Sequence, residues 1–314
     1  MHVHVLVLDG VFDAGLALVL DTLDTANALA AAPEQRVRVA VLGVRRRVRT
    51  HLGFAVPVVA RPRARPDVVI VPALGAKTPD ALERALARRD VVEATAQLQA
   101  AAAAGARVTA ACTATFVLGD AGLLAGRRAT TTWWLAPFFR ARFPAVALDD
   151  AQMVVESDNI VTAGSALAHL DLALWLVRRR SPALARTVAN HLLYDARPSQ
   201  APYVMPDHLA HADPLVARFE DWARRHLDGF TIGAAARAVG ATERTLERRV
   251  QAVLGKSPLS FVQDLRVAHT VHRLQTTDDS LEAIAAEVGY REATTLRTLL
   301  RRRTGRGVRE LRRA

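Results

Sequence analysis

Between residues 231 and 313 the chain states one pattern twice, and no other feature narrows its fold as much. Each copy is a short alanine-rich helix, a glycine turn and an arginine-bearing helix. The first runs Ile232-Gly-Ala-Ala-Ala-Arg-Ala-Val239, Gly240, then 242–253; the second runs Leu281-Glu-Ala-Ile-Ala-Ala-Glu-Val288, Gly289, then 292–303. Leu246 matches Leu296, Val250 matches Leu300 and Gly255 matches Gly305 at an offset near fifty. Self-similarity on this scale marks a repeated supersecondary unit.

Two helices crossing steeply need small side chains where they touch, and Ala235, Ala236, Ala285 and Ala286 are placed to supply them. The tight turn needs a residue that tolerates positive φ, which Gly240 and Gly289 provide. Val239, Leu246 and Val250 fall on one inward face, as do Val288, Leu296 and Leu300. The opposite face of each second helix carries arginines: Arg244, Arg248 and Arg249, then Arg297, Arg301, Arg302 and Arg303. Such a helix fits the major groove of double-stranded DNA, where arginine pairs with guanine edges or holds phosphates. A small helical bundle with a solvated basic face is the plainer reading, and two copies in register weigh against it.

These residues resemble the DNA-binding domain of AraC-type transcriptional regulators. The resemblance is carried by Leu-Glu-Ala-Ile-Ala-Ala-Glu-Val-Gly-Tyr at 281–290, by the long joining helix at 259–274, and by Gly255-Lys-Ser-Pro258. It covers about a quarter of the chain. Two positions depart from the family pattern. Gly305-Arg-Gly-Val308 stands where Gly-x-Ser-Pro is usual, and Arg291 stands where a small cap usually opens the second recognition helix. A missing cap costs about 0.5–2 kcal/mol.

With 314 residues, 51% of them hydrophobic, the chain has material for two ordinary domains. The formal charge is +11, and from residue 231 onward sixteen Lys+Arg face nine Asp+Glu, so most of the excess sits on the repeat. That distribution is the footprint of a nucleic-acid partner. A single cysteine, Cys112, excludes an intrachain disulfide and fits a reducing, cytoplasmic setting. No apolar run approaches the ~18–20 residues of a membrane span, and the start of the chain reads as a buried strand, not a signal peptide.

Upstream of the repeat, strand-like and helical segments alternate. Strands are expected at 2–8, 37–42, 56–59, 67–71 and 107–111, with short ones near Ala129, Ala147, Met153 and Ile160. Helices are expected at 16–31, 80–104 in two segments, 114–119, 133–142, 166–180 and 182–194; the one at 166–180 reads as amphipathic. This order predicts an α/β fold, a flavodoxin-like doubly wound, mostly parallel sheet, followed by an all-α domain with two helix-turn-helix units. The expected domains are 1–194 (α/β), a proline-bearing linker at 195–213, and 214–314 (DNA-binding). The arginine clusters at 45–47 and 61–65 read as solvated loops rather than a second DNA surface.

Ligands of open parallel sheets bind outside the carboxyl ends of strands. Asp9, the Pro72-Ala-Leu-Gly75 turn and Cys112 all stand at such ends. A cysteine at a strand-to-helix elbow is a candidate nucleophile. Residues 3–180 resemble the class I amidotransferase and PfpI-type superfamily, through Val5-Leu-Val-Leu-Asp-Gly10, Asp67-Val-Val-Ile-Val-Pro72, Ala111-Cys-Thr-Ala-Thr-Phe116 and Asn159-Ile-Val-Thr-Ala-Gly164. They are most similar to the branch fused to AraC-type domains, the GlxA-like regulators. That resemblance implies a domain that senses a metabolite and dimerises. Several catalytic positions of the superfamily are changed: Thr113 follows the cysteine where histidine is common, Thr132 precedes Trp133 where a histidine is frequent, and Gly15 stands where related enzymes hold an acid. A cysteine without base or orienting acid lacks a dyad or triad.

The expected ligand pocket is therefore non-catalytic and comprises Asp9, Leu74, Gly75, Cys112, Thr113, Thr132 and Trp133. Trp133 and Trp134 read as core and rim, with an aromatic cage for a quaternary ammonium as the sharper alternative. The histidines show no metal-ligand spacing, His208 and His211 included, and no cofactor motif is present. The expected DNA contacts are Thr242, Arg244, Thr245, Arg248 and Arg249 in the first unit, and Thr294, Thr295, Arg297, Thr298, Arg301 and Arg302 in the second. The partners implied are double-stranded DNA, a small-molecule effector and a second copy of the chain, with no membrane. Two other classes fit some of these residues: a cysteine hydrolase or glyoxalase-like enzyme tethered to DNA, and an architectural DNA-binding protein with no ligand.

Overall fold

Period-two alternation builds the sheet. In strand β1 (His2–Val7), Val3, Val5 and Val7 join one core while Leu6 joins the other, so each face of the strand is buried. The computed structural model describes residues 1–59, 64–195, 197, 199–200, 203–204 and 213–312. Beside β1 lie β2 (Arg38–Gly43), β3 (Val68–Val71), β4 (Arg107–Ala111), β5 (Val154–Ser157) and β6 (Ile160–Ala163), in the spatial order β2-β1-β3-β4-β6-β5. All neighbours pair in parallel except the edge strand β5, which is antiparallel to β6. The expected edge strand at 56–59 is split: Ala55–Val56 pairs with Val48–Arg49 as a small hairpin, and Val59 bridges to Leu42.

Helices cover both faces. On one side α1 (Asp13–Leu29), α6 (Ala168–Arg180) and α7 (Pro182–His191) pack around Val5, Val19, Leu23, Leu172 and Val188. On the other, α2 (Pro79–Leu86), α3 (Arg89–Ala103), α4 (Ala114–Asp120) and α5 (Ala136–Arg142) pack around Leu82, Leu98, Phe116, Leu118 and Phe139. Helix α6 is not the amphipathic element its sequence suggests. From Ala168 to Val177 every residue but Trp175 is buried, because α1 and α7 flank the helix over the sheet. Its polar residues are satisfied internally. Asp171 accepts hydrogen bonds from Tyr194 (2.6 Å) and Arg197 (3.0 Å), and His169 is held by main-chain groups.

Contacts divide the chain into units 1–204 and 205–314. The linker expected at 195–213 lies largely outside the described residues, as do His208, His211 and most of the 61–65 cluster. Its described part is not a free tether. Ser199 bridges to Gln152, the Ser199 hydroxyl donates to Ala151 O (2.6 Å), and Gln200 is fully buried in the first unit.

The second unit is helical: α8 (Pro214–Arg225), α9 (Ile232–Ala238), α10 (Glu243–Leu254), α11 (Pro258–Thr276), α12 (Leu281–Glu287), α13 (Ala293–Thr304) and α14 (Val308–Arg312). Helices α9–α10 and α12–α13 are the two repeats. Leu246, Val250, Leu296 and Leu300 are all 0% exposed, and Gly240, Gly255, Gly289 and Gly305 all have φ between +67 and +82°. The offset is not constant. Val239 pairs with Val288 and Gly240 with Gly289, but the cap Thr242 pairs with Glu292, so the second turn is one residue longer. This corrects two readings. Ala286 is exposed while Ile284 and Ala285 are buried, as Ala235 and Ala236 are, and the N-cap of α13 is Glu292, not Arg291. Glu292 makes no side-chain cap bond, whereas Thr242 accepts from Thr245 N at 3.2 Å. Among the described residues no helix is long and apolar enough to cross a membrane.

Candidate functional site

At the carboxyl end of β4 the chain turns sharply into α4, and Cys112 takes the strain with φ of 57°. Such a conformation is sparsely populated for a residue with a Cβ, and persists where surroundings fix it. Here Cys112 N–H donates to Ala163 O (2.9 Å), and Cys112 O accepts from the Thr131 hydroxyl (2.8 Å) and Thr115 N (3.2 Å). The Thr113 hydroxyl donates to Leu74 O (2.8 Å). Gly75 N–H reaches Gly10 O (2.9 Å) in turn. Leu74, Gly75, Cys112, Thr113 and Thr132 thus form one knot of strand ends, all buried. Trp133 sits half-buried on its rim, edge-to-face with Trp134 at 5.6 Å. Asp9 is exposed and faces elsewhere: its carboxylate accepts from Arg49 N (2.9 Å) and fastens the 48–56 hairpin.

The electrostatics disfavour a thiolate. Burial pushes the Cys112 thiol up to about 11, against the smaller pull of the Thr113 backbone and the Thr132 and Thr113 hydroxyls. His169 is fully buried and committed to the main chain. Its Nε2 accepts from Ala73 N (3.0 Å), which leaves Nδ1 to donate to Ala166 O (2.6 Å). Burial lowers its imidazole to about 4 despite the Ala166 bond. The same ring explains Gly15: a Cβ there would lie 2.6 Å from His169 Nε2, so the space for a side chain at that position is taken. The other histidine near the strand ends, His51, lies across Gly75, where a Cβ would come within 2.2 Å of its ring.

Sequence reasoning missed two features of this unit. One is Gln200, discussed below, hidden by its proline-bearing surroundings. The other is a cleft of about 380 Å³ between the sheet and α3, lined by His4, Leu6, Leu42, Arg65, Val69 and Gln97, among others. No local motif marks it, because its walls come from distant segments.

On the second unit, Thr242, Arg244, Arg248, Arg297, Thr298 and Arg301 are exposed, as are Thr294 and Thr295, and Thr245 is half-buried. The side chains of Arg244, Arg248, Arg297 and Arg301 make no hydrogen bond or ion pair among the described residues. Arg249 is different. It ion-pairs with Asp213 at 2.6 Å, and Asp213 caps α8 by accepting from Leu215 N (2.9 Å). Burial pulls the Asp213 carboxyl up, but Arg249 and the Leu215 and Val216 amides outweigh it and hold it below its ordinary value. The repeat shows why: the counterpart of Arg249 is Leu299, a buried position. Arg302 reaches Gln263 (3.4 Å), and Arg303 bonds Ser260 (2.9 Å) and Asp264 (3.2 Å), so both lean on α11.

Comparison with known proteins agrees with this division. Residues 1–179 match the DJ-1/PfpI family, and residues 235–314 match a helix-turn-helix domain. The chain is 29% identical over 195 residues to the HTH-type transcriptional regulator GlxA of Rhizobium meliloti, covering 59% of each. It is 28% identical over 183 residues to the HTH-type transcriptional regulator CdhR of Pseudomonas aeruginosa, covering 57% of this chain and 54% of that one. The chain therefore spans a little over half the length of the curated regulators it matches. A shorter match, 38% over 82 residues, covers 26% of this chain and 34% of an isonitrile hydratase of Pseudomonas putida. Among solved structures, an AraC family transcriptional regulator from Pseudomonas putida covers 61% of this chain and 98% of its own, with a TM-score of 0.51 and 23% identity. That likeness is one of fold.

Proposed function

The chain belongs to the DJ-1/PfpI family, and on that premise we propose that it is a DNA-binding transcriptional regulator. The α/β unit would take up a small effector without catalysing a reaction, and the helical unit would read double-stranded DNA. The observation that carries this reading is the pair of in-register recognition helices with Arg244, Arg248, Arg297 and Arg301 exposed and unengaged within the described protein. Base contacts are assigned to Arg244, Thr245 and Arg248, and to Thr294, Arg297 and Thr298; Arg301 is placed for phosphate. The effector site is assigned to the strand-end knot around Leu74, Gly75, Cys112, Thr113 and Thr132, with Trp133 on the rim. A homodimer through the α/β unit would present two such reading pairs.

A second reading, an enzyme, is favoured by the positive φ of Cys112 and by the hydratase relative. The raised thiol and the engaged His169 speak against it. The deciding experiment is selection of fragments from sheared genomic DNA by the full-length protein at physiological salt with competitor DNA. A motif of two half-sites about one helical turn (~34–36 Å) apart supports the regulator. Broad, salt-sensitive recovery without a motif refutes sequence-specific reading, and loss of a turnover in Cys112→Ser would establish the enzyme.

A further inference from the structure

Gln200 stands near the end of the first unit, in the stretch that leads toward the helical unit, and its side chain is driven into the strand-end crevice. It is 0% exposed. Its Nε2 donates to Thr131 O (2.8 Å) and approaches Thr130 Oγ1 (3.2 Å) and Gln152 O (3.4 Å). The orientation of the amide follows from these partners. Two are carbonyl oxygens, and the Thr130 hydroxyl spends its own proton on Gln152 O (3.0 Å). The slot therefore presents three acceptors and calls for N–H donors. Gly164 makes room for it: a Cβ there would lie 2.7 Å from Gln200 Oε1. That Oε1 is buried without a partner among the described residues, so the chain's own carboxamide fits the slot only in part. A buried polar atom left unpaired costs about 1–3 kcal/mol.

The slot also touches the candidate effector site directly. Thr131, which accepts from Gln200 through its carbonyl, donates through its hydroxyl to Cys112 O (2.8 Å). Gly164, against which the plug rests, follows Ala163, whose carbonyl receives Cys112 N–H.

We propose that this slot is a ligand subsite for a carboxamide or similar N–H-donating group of the effector, occupied by Gln200 in its absence. Ligand and chain then compete for the same acceptors, and binding expels Ser199 and Gln200 from their places on Ala151, Gln152 and Thr131. This rests on the regulator reading for its consequence, not for the subsite itself. An effector that offers the N–H groups without burying an unpaired acceptor against Gly164 escapes the cost that Gln200 Oε1 carries, which lets a small molecule displace an intramolecular competitor.

Gln200→Ala removes the atoms of acetamide from the slot, so free acetamide should replace them. The full-length variant is expected to melt below the native chain. Acetamide well above its Kd should raise the melting point of Gln200→Ala by about 3 °C, while leaving the native chain unmoved. N,N-dimethylacetamide, which has no N–H, should do nothing in either. Equal shifts with both compounds, equal shifts in both proteins, or no shift with acetamide would each overturn the subsite. If the variant does not fold, refolding with each compound decides: recovery with acetamide alone supports the subsite, and no recovery with either refutes it. The melting experiment involves no DNA, so its failure is separate from failure of the fragment selection, which would strike the regulator reading instead.

Discussion

His169 allows a prediction whose size follows from the structure. Its ring is neutral in the folded chain, with both nitrogens bonded to main-chain groups, and burial lowers its imidazole to about 4. In the unfolded chain the same group titrates near ~6.5. The folded state therefore refuses a proton that the unfolded state accepts. The stabilisation is complete above pH ~6.5, declines by about 1.4 kcal/mol per pH unit below it, and is lost as pH falls through the folded value. Between pH 7.5 and 4.5 this one residue should account for ~2–3 kcal/mol of lost stability. The assay is urea unfolding of the full-length protein at both pH values, followed by tryptophan fluorescence, for the native chain and His169→Gln. Glutamine retains an acceptor for Ala73 N–H but cannot titrate. Other groups titrate alike in both proteins, so the difference in their pH dependence isolates His169. Equal pH dependence within about 0.5 kcal/mol, or an imidazole titrating near 6.5 by NMR, would refute the locked neutral tautomer.

Other predictions concern the thiol and the recognition helices. Alkylation of Cys112 by iodoacetamide, followed by mass spectrometry, should be slow at pH 7.5 and keep rising tenfold per pH unit past pH 10, because the thiol sits at about 11; a plateau near pH 8–9 would show an ordinary thiol. Thr242→Ala removes the cap of α10 and should lower local stability by ~1 kcal/mol, whereas Glu292→Ser should stabilise α13 by a similar amount; hydrogen exchange of the two first turns reads both. Arg244→Ala and Arg297→Ala should each weaken binding to the selected DNA by ~1–3 kcal/mol and reduce the ratio of specific to random binding. Arg249→Ala should leave that ratio unchanged and instead loosen α8 through loss of the Asp213 pair.

Much of the fold was legible because strong local patterns coincide with tertiary need. The apolar run Val68-Val-Ile-Val71 has no room for a polar face, so it had to be a central strand, and it is, with 107–111 beside it. The repeat alone assigns Leu246, Val250, Leu296 and Leu300 to the core, and all four are fully buried. Failures occurred where a polar residue is satisfied by something distant in sequence. His169 and Asp171 gave α6 the look of an amphipathic helix, yet main-chain groups and the Tyr194–Arg197 pair bury them. Gln200 looked like linker because prolines surround it, and its partners at Thr130, Thr131 and Gln152 are far away in the chain. The elbow at Cys112 was readable from a strand running into a helix. That its thiol is buried and raised was not, since that depends on how Leu74, Thr132 and Ala163 close around it.

The two helix-turn-helix units descend from one pattern but are not mechanically equal, and the difference bears on how they would share a bipartite DNA site. The first has a capped recognition helix and a second helix face tied by Arg249 to Asp213. The second has a turn one residue longer and no side-chain cap. What steadies it is Arg266 of the joining helix α11. This guanidinium is 8% exposed, donates through Nε (3.1 Å) and Nη2 (2.6 Å) to Leu227 O, and lies 4.8 Å over the ring of Tyr290. Gly289 then packs so closely that a Cβ would meet Asp228 Cα at 2.9 Å. One buried cation therefore joins the segment entering the first unit to the turn of the second. This forked, charged hydrogen bond to a single carbonyl, worth about 1.5–3 kcal/mol, offsets the deficit of one missing cap. The spacing between the recognition helices is thus better fixed than the first turn of α13. On the proposed assignment, discrimination should be strict in the distance between half-sites and looser in the bases given to Thr294 and Arg297 than in those given to Arg244 and Arg248.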